Sequence, residues 1–171
     1  MKKILTLCMA VLTAATMFAK SYNASVGLVG GLGLGLQAKM MLTDNFTIMD
    51  DLGYFINPNG INGGYSGLIN SSVFGYQGRI TETKGMKLDW YAGAQVKIGW
   101  DPINMGNDYV HLGVFGTGAA GGVEAIMANA PIAVSFDFRP GWAMLFNGQP
   151  DGIAHLFDYS FHLGVRYYFG K

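Results

Sequence analysis

The stretch Asp158-Tyr-Ser-Phe-His-Leu-Gly-Val-Arg-Tyr-Tyr-Phe169 constrains the fold more than any other. Its odd positions are Tyr159, Phe161, Leu163, Val165, Tyr167 and Phe169; its even positions are Ser160, His162, Gly164, Arg166 and Tyr168. Period two over a dozen residues is a strand with one apolar and one polar face. A soluble strand needs about five or six residues, whereas a tilted strand crossing a bilayer needs about 9–11. Aromatic residues at both ends of the apolar face fit two membrane–water interfaces. A half-buried strand of a soluble protein also satisfies this stretch taken alone, but the pattern recurs upstream.

Seven further segments read as strands: 24–30, 34–42, 46–55, 68–80, 88–100, 111–127 and 131–144. The clearest sets Leu88, Trp90, Ala92, Ala94, Val96, Ile98 and Trp100 against Asp89, Tyr91, Gly93, Gln95, Lys97 and Gly99. In the third segment the pair Asp50-Asp51 breaks the alternation, which a bulge, or a place for Asp50 near a rim, would reconcile. Short connections at 43–45, 82–87 and 128–130 alternate with longer ones at 57–65, 101–110 and 146–157. Thr43-Asp44-Asn45 is a tight turn of the kind Asp and Asn form by bonding their own backbone. The alternation of short turns and long loops is that of an outer-membrane barrel. One connection departs from it, because Gly30-Gly31-Leu32-Gly33 is short on the long-loop side.

Half of the 171 residues are hydrophobic, 13% are charged and 26 are Gly. Soluble domains carry about 25% charged residues and about 7% Gly. Beyond the N-terminus no apolar run approaches the roughly 20 residues of a membrane helix, so the apolar residues are interleaved, as in a membrane barrel. Residues 1–19 read as a signal peptide, with Lys2 and Lys3, an apolar core from Ile4 to Phe18, and cleavage after about 19–21, which leaves 22–171 as the mature domain. The one cysteine, Cys8, lies inside that segment, so the mature chain has no thiol for disulfides, zinc or nucleophilic catalysis. Without Lys2 and Lys3 the balance is nine basic to eleven acidic residues, about −2. That balance gives no reason to expect a nucleic-acid partner.

The expected fold is all-β, an eight-stranded antiparallel up-and-down transmembrane β-barrel. A soluble sandwich or lipocalin-like barrel uses the same alternation with the faces inverted. The polar faces carry few charges and many glycines, which fits a crowded interior better than a solvated exterior. An eight-stranded barrel is just wide enough inside for side chains to fill it. Lys39, Arg79, Asp89, Lys97, Glu124, Asp137, Arg139 and Arg166 are therefore expected to share the interior as a structural charge network. They must pair there, because an unpaired buried ion is costly. The expectation is a plugged lumen. Trp90, Trp100, Trp142, Tyr159, Tyr167 and Phe169 are the expected aromatic girdles.

The runs Leu88–Trp100, Pro131-Ile-Ala-Val-Ser-Phe-Asp-Phe-Arg-Pro-Gly141 and His162-Leu-Gly-Val-Arg-Tyr-Tyr-Phe169, with the Glu124 strand between, resemble the small outer-membrane β-barrel proteins of Bacteroidetes-type bacteria. Those proteins share the fold of the OmpA and OmpX barrels. The resemblance implies an exported protein of the bacterial outer membrane, in contact with outer-membrane lipid and inserted by the barrel-assembly machinery. In that family the last residue is often a terminal aromatic read by this machinery; here Gly170 and Lys171 follow Phe169. The resemblance names no surface partner, and fold does not dictate activity.

No catalytic, cofactor-binding or metal-binding residue is assigned, and the expected role is structural or surface interaction. Gly116-Thr-Gly-Ala-Ala-Gly121 matches the dinucleotide fingerprint, with Asp137 at a suitable spacing. The helix it should open contains Gly121 and Gly122, however, and no other βαβ unit is present, so a Gly-rich barrel strand is the better reading. Ser160 and His162 share one strand face, about 7 Å apart. With an acid from another strand they would suit a lipid A deacylase or acyltransferase, which is the alternative reading together with a small pore. His111 and His155, with Asp108 or Asp151, are read as solvated loop residues rather than a metal site.

Overall fold

The computed structural model describes residues 24–57, 65–104, 109–146 and 153–169, with only the backbone of 102–104 and 109–111. The expected signal peptide lies outside them. The strands are β1 (Ala24–Gly31), β2 (Gly33–Met41), β3 (Phe46–Asn57), β4 (Tyr65–Glu82), β5 (Met86–Asn104), β6 (Tyr109–Met127), β7 (Ile132–Phe146) and β8 (Ile153–Phe169). Each pairs antiparallel with its neighbour in sequence, and β1 pairs with β8, which closes the barrel. The expected up-and-down eight-stranded topology is the observed one. Several strands outrun their expected ends: β5 continues to Asn104 and β8 begins at Ile153, so the longer connections are shorter than the sequence suggests.

The register fixes the tilt. A walk along the hydrogen bonds from Asp50 passes Ser72, Val96, Thr117 and Trp142 to Phe157 in one direction. In the other it passes Ala38 and Val26 to Tyr167. The two walks reach β8 ten residues apart, a stagger that goes with strands inclined by about 35–45° to the barrel axis.

The alternation gives the wall a mainly apolar outer face and an inner face that holds nearly all of the charge. Leu34 is 65% exposed and Trp142 53%, whereas Gln37, Asp51 and Arg139 are 0% exposed. Apolar outside and polar inside is the inverse of a soluble barrel.

Two of the three short turns are set by threonine hydroxyls. In the first short turn the Thr43 hydroxyl accepts from the backbone N–H of Asn45 (3.3 Å) and Phe46 (3.0 Å), so the expected Asp or Asn acceptor is replaced by Thr. Thr83 does the same for Gly85 and Met86 in the second. Leu32 alone separates β1 from β2, and Gly33 makes this possible with φ +144°, a region that side chains disfavour. Leu32 is then tied down by Ile56, whose N–H donates to its carbonyl at 2.7 Å. The short first connection thus has a conformational cause.

Asp50 and Asp51 correct the sequence reading. The β2–β3 and β3–β4 registers run through both without a bulge, and Asp50 sits inside the strand rather than at a rim. The register shift lies instead between Arg79 and Thr81 of β4. Between β6 and β7 no pairs form opposite Arg139 and Pro140, and the same register resumes beyond them, as a residue without an N–H requires.

Candidate functional site: the barrel interior

Inward-facing side chains of all eight strands meet in the bore, and the tilt brings together residues far apart in sequence. At the short-turn end is a cavity of about 890 Å³ lined by Met41, Gln77, Arg79, Lys87, Asp89 and Tyr168, among others. Arg79 stands at its edge, paired with both Asp89 and Glu82. Gln77 donates to Asp89 at 2.9 Å and links this rim to the interior.

Above the cavity Glu124 is fully buried and takes two cations, Lys39 on one oxygen and Arg166 on the other. Lys39 also lies 4.9 Å from the centre of the Tyr91 ring. Arg166 reaches Gln37 and, at 3.1 Å, the Ser135 hydroxyl. Gly164 makes this possible. A Cβ there would stand 2.3 Å from Gln37 Oε1 and 2.7 Å from Ser135 Oγ, inside any tolerable contact.

The next layer is centred on Arg139, which is 0% exposed. Its Nη1 lies 2.7 Å from Asp51 and its Nε 2.5 Å from Asp137. Tyr91 donates to Asp137 at 2.6 Å, and Gln37 donates to Asp51 at 2.8 Å, which joins the two layers. His162 completes the set, with Nδ1 3.0 Å from Asp51 and its ring stacked on Phe55 at 5.3 Å. Ser71 links Arg139 (3.2 Å) to Gln95 (2.6 Å).

Toward the long-loop end Asp158 gathers Lys97, Asn57 and the Tyr65 hydroxyl, the last at 3.0 Å. Beside them Tyr65, Ile69, Val114, Ala143, Leu145 and Leu156 pack into an apolar cluster. The cavity between these groups measures about 20 Å³, room for about one water.

The eight charged residues singled out from the sequence thus all point inward, but in separate groups: Lys39, Glu124 and Arg166; Arg79 with Asp89; Asp137 with Arg139; and Lys97 apart from the rest. That set lacks Asp51, which pairs with Arg139, Asp158, which pairs with Lys97, and His162, which is bonded to Asp51. The signal was available. Asp51 shares its parity with Thr47 and Met49, both buried, and Asp158 shares its parity with Ser160 and His162. With them the buried cations Lys39, Lys97, Arg139 and Arg166 each meet at least one of Asp51, Glu124, Asp137 and Asp158, as burial of charge requires. Asp89 pairs with the half-exposed Arg79 at the rim, and the buried Asp101 accepts from the Ser66 backbone N–H at 3.2 Å.

The aromatic residues expected as girdles lie on the outer face. Trp90, Tyr167 and Phe169 lie toward the short-turn end, with Phe46 and Tyr76 packed edge to face at 5.6 Å. Trp100, Trp142 and Tyr159 lie toward the other end. Gly116–Gly121, the dinucleotide-like run, is strand throughout and opens no helix. Ser160 and His162 share the inner wall; the Ser160 hydroxyl is buried without a hydrogen bond, while His162 is bonded to Asp51. His155 is exposed on the outer face, and the His111 side chain, Asp108 and Asp151 lie outside the described residues.

No family model matches the sequence, and no curated protein does. Solved structures do. A major outer membrane protein from Thermus thermophilus superposes with a TM-score of 0.51 at 12% identity, over 86% of this chain and 97% of that one. The N-terminal β-barrel domain of Pseudomonas aeruginosa OprF gives 0.44 at 15% identity (86% and 97% covered). Neisserial surface protein A, NspA, gives 0.43 at 14% identity (86% and 94%). With its closed ring of eight antiparallel strands, the chain has the fold of the eight-stranded outer-membrane β-barrel.

Proposed function

We propose that the chain is a bacterial outer-membrane protein, exported by its 1–19 segment, whose barrel is plugged by paired charges and whose role is structural or surface-interacting. The carrying observation is the fully buried Asp51–Arg139–Asp137 group, which fills the bore where an open channel would need water. The apolar cluster around Ile69 and Leu156 closes the path further toward the long loops. In this reading the apolar exterior contacts outer-membrane lipid, the short turns face the periplasm, and the barrel-assembly machinery inserts the chain. The ends of β3, β5 and β7 away from the short turns face outward in this reading, and a surface partner would be met there. Neither nucleic acid nor a cofactor enters the reading.

The enzyme reading draws on His162, held by Asp51, and on the unpartnered Ser160 hydroxyl beside it. The adjoining cavity holds about one water and no acyl chain, which favours a structural role for this pair.

Membrane fractionation with gel mobility before and after boiling tests the location. The expected result is an outer-membrane protein whose band shifts on heating; a soluble protein without a shift overturns the proposal. Planar-bilayer recording tests the plug: silence is expected, and reproducible single-channel steps would establish the pore instead. If Ser160→Ala abolished a lipid-modifying activity while the heat shift persisted, the enzyme reading would replace this one.

A further inference from the structure

On the outer face of β3 the sequence Phe46, Ile48, Asp50, Leu52, Tyr54 places a carboxylate midway between two aromatic residues. Asp50 is four residues from each, which at about 3.3 Å per residue and a tilt of about 40° puts it about 10 Å from either aromatic level. That is near the middle of an apolar band about 25 Å tall. Among the described residues it is the one Asp, Glu, Lys or Arg on the outer wall between the aromatic levels.

Asp50 is not a stray charge. Ser72 donates to its Oδ1 at 2.6 Å, and the Asn70 amide donates to Oδ1 and Oδ2 at 3.1 and 3.0 Å. The same amide nitrogen reaches the Asp51 carbonyl at 3.4 Å. These bonds consume the donors of the cluster. What remains toward the membrane is acceptor capacity: the carboxylate and the Asn70 carbonyl oxygen. A second copy would bring the same acceptors and the same charge. The complement is a cation.

Beside the cluster the wall is low. Ala94 pairs with Ala119 and Ala92 with Gly121, a patch of minimal side chains on β5 and β6 bordering Ser72, Phe74 and Val96. A partner backbone can approach closely on such a surface. β4 alone lies between the patch and Asp50, so a helix about 10 Å wide seated on the patch overhangs Ser72, and a Lys or Arg on that flank meets Asp50.

We infer that Asp50, Asn70 and Ser72, with the small-residue patch Ala92, Ala94, Ala119 and Gly121, form a lateral docking site for a membrane-embedded protein segment that presents Lys or Arg at mid-bilayer depth. Intramembrane ionisable groups are retained where they have such a role. The inference rests on the membrane reading above.

The test uses the full barrel in phosphatidylcholine vesicles at neutral pH. The probe is a dansyl-labelled peptide of about 20 Leu and Ala residues with one central Lys; the reference peptide carries Leu there. Energy transfer from Trp90 and Trp100, both exposed on this wall, reports association. The Lys peptide is expected to associate about tenfold more tightly than the Leu peptide, and Asp50→Asn to remove that preference. Gly121→Leu should weaken Lys-peptide association with Asp50 intact, because a Cβ there meets only the Tyr91 carbonyl oxygen at 3.8 Å and fills the patch without internal strain. Equal association of both peptides, or a Lys preference that survives Asp50→Asn, would show a cluster satisfied by Asn70 and Ser72 alone and sink the inference. Self-association that Asp50→Asn abolishes would make a second copy the occupant and overturn the cationic partner. If the wild-type barrel fails to enter vesicles at all, the membrane reading fails first; if it inserts and shows no Lys preference, only the docking site is lost.

Discussion

Asp50 and Asp51 are neighbours in the chain and stand on opposite sides of the same barrel wall. Asp51 is fully buried against Arg139, His162 and Gln37, while Asp50 lies on the outer face among Asn70 and Ser72. A strand turns successive side chains to opposite faces, so two identical residues acquire opposite environments from parity alone. Asp51→Ala leaves Arg139 with Asp137 alone and removes the acceptor of Gln37 and the partner of His162, and should cost about 1–3 kcal/mol. Asp50→Asn keeps an acceptor for Ser72 and should change stability by less than about 1 kcal/mol. Urea unfolding in detergent micelles separates the two, and equal losses would contradict the sidedness.

Arg139→Ala should destabilise the barrel by about 3–5 kcal/mol, because it leaves Asp51 and Asp137 buried and uncompensated. Lys84→Ala, in an exposed turn, should fall within about 0.5 kcal/mol of the parent. The comparison is read from unfolding midpoints or from the temperature at which the folded band disappears from gels.

Arg placed at Val96 or Val134, both on the outer face, should lower stability by about 2–4 kcal/mol if lipid surrounds the barrel. Refolding into vesicles at increasing denaturant measures it. Variants that insert like the parent would show that these positions do not meet hydrocarbon.

Gly164→Ala tests interior crowding. Its methyl group would displace Gln37 and Ser135, both partners of Arg166, at a cost of about 1–3 kcal/mol. Gly85→Ala meets nothing within 4 Å and serves as the steric control in the same unfolding assay.

Lys97 and Asp158 should behave as one unit. Lys97→Met and Asp158→Asn are each expected to destabilise, and the double variant to lose less than their sum, with a coupling of about 0.5–3 kcal/mol. Additive losses would mean that the pair contributes no direct interaction.

The sequence by itself determined the strands, their number, the facing of their residues and the sign of the inversion. These are local consequences of period two, strand length and charge placement, and they survive errors of a few residues at strand ends, as β5 and β8 illustrate. The two aspartates mark the limit of local pattern: parity assigns Asp51 inward, while Asp50 breaks the apolar run of the outer face. Only the tertiary structure decided which charges meet. His162 and Asp51 are 111 residues apart, and Gln37 and Arg166 are 129 apart. Their encounter depends on ring closure and on the ten-residue stagger that sets the height of each strand against those across the bore. That stagger is a property of the closed sheet as a whole, summed over all eight pairings, and no single segment encodes it.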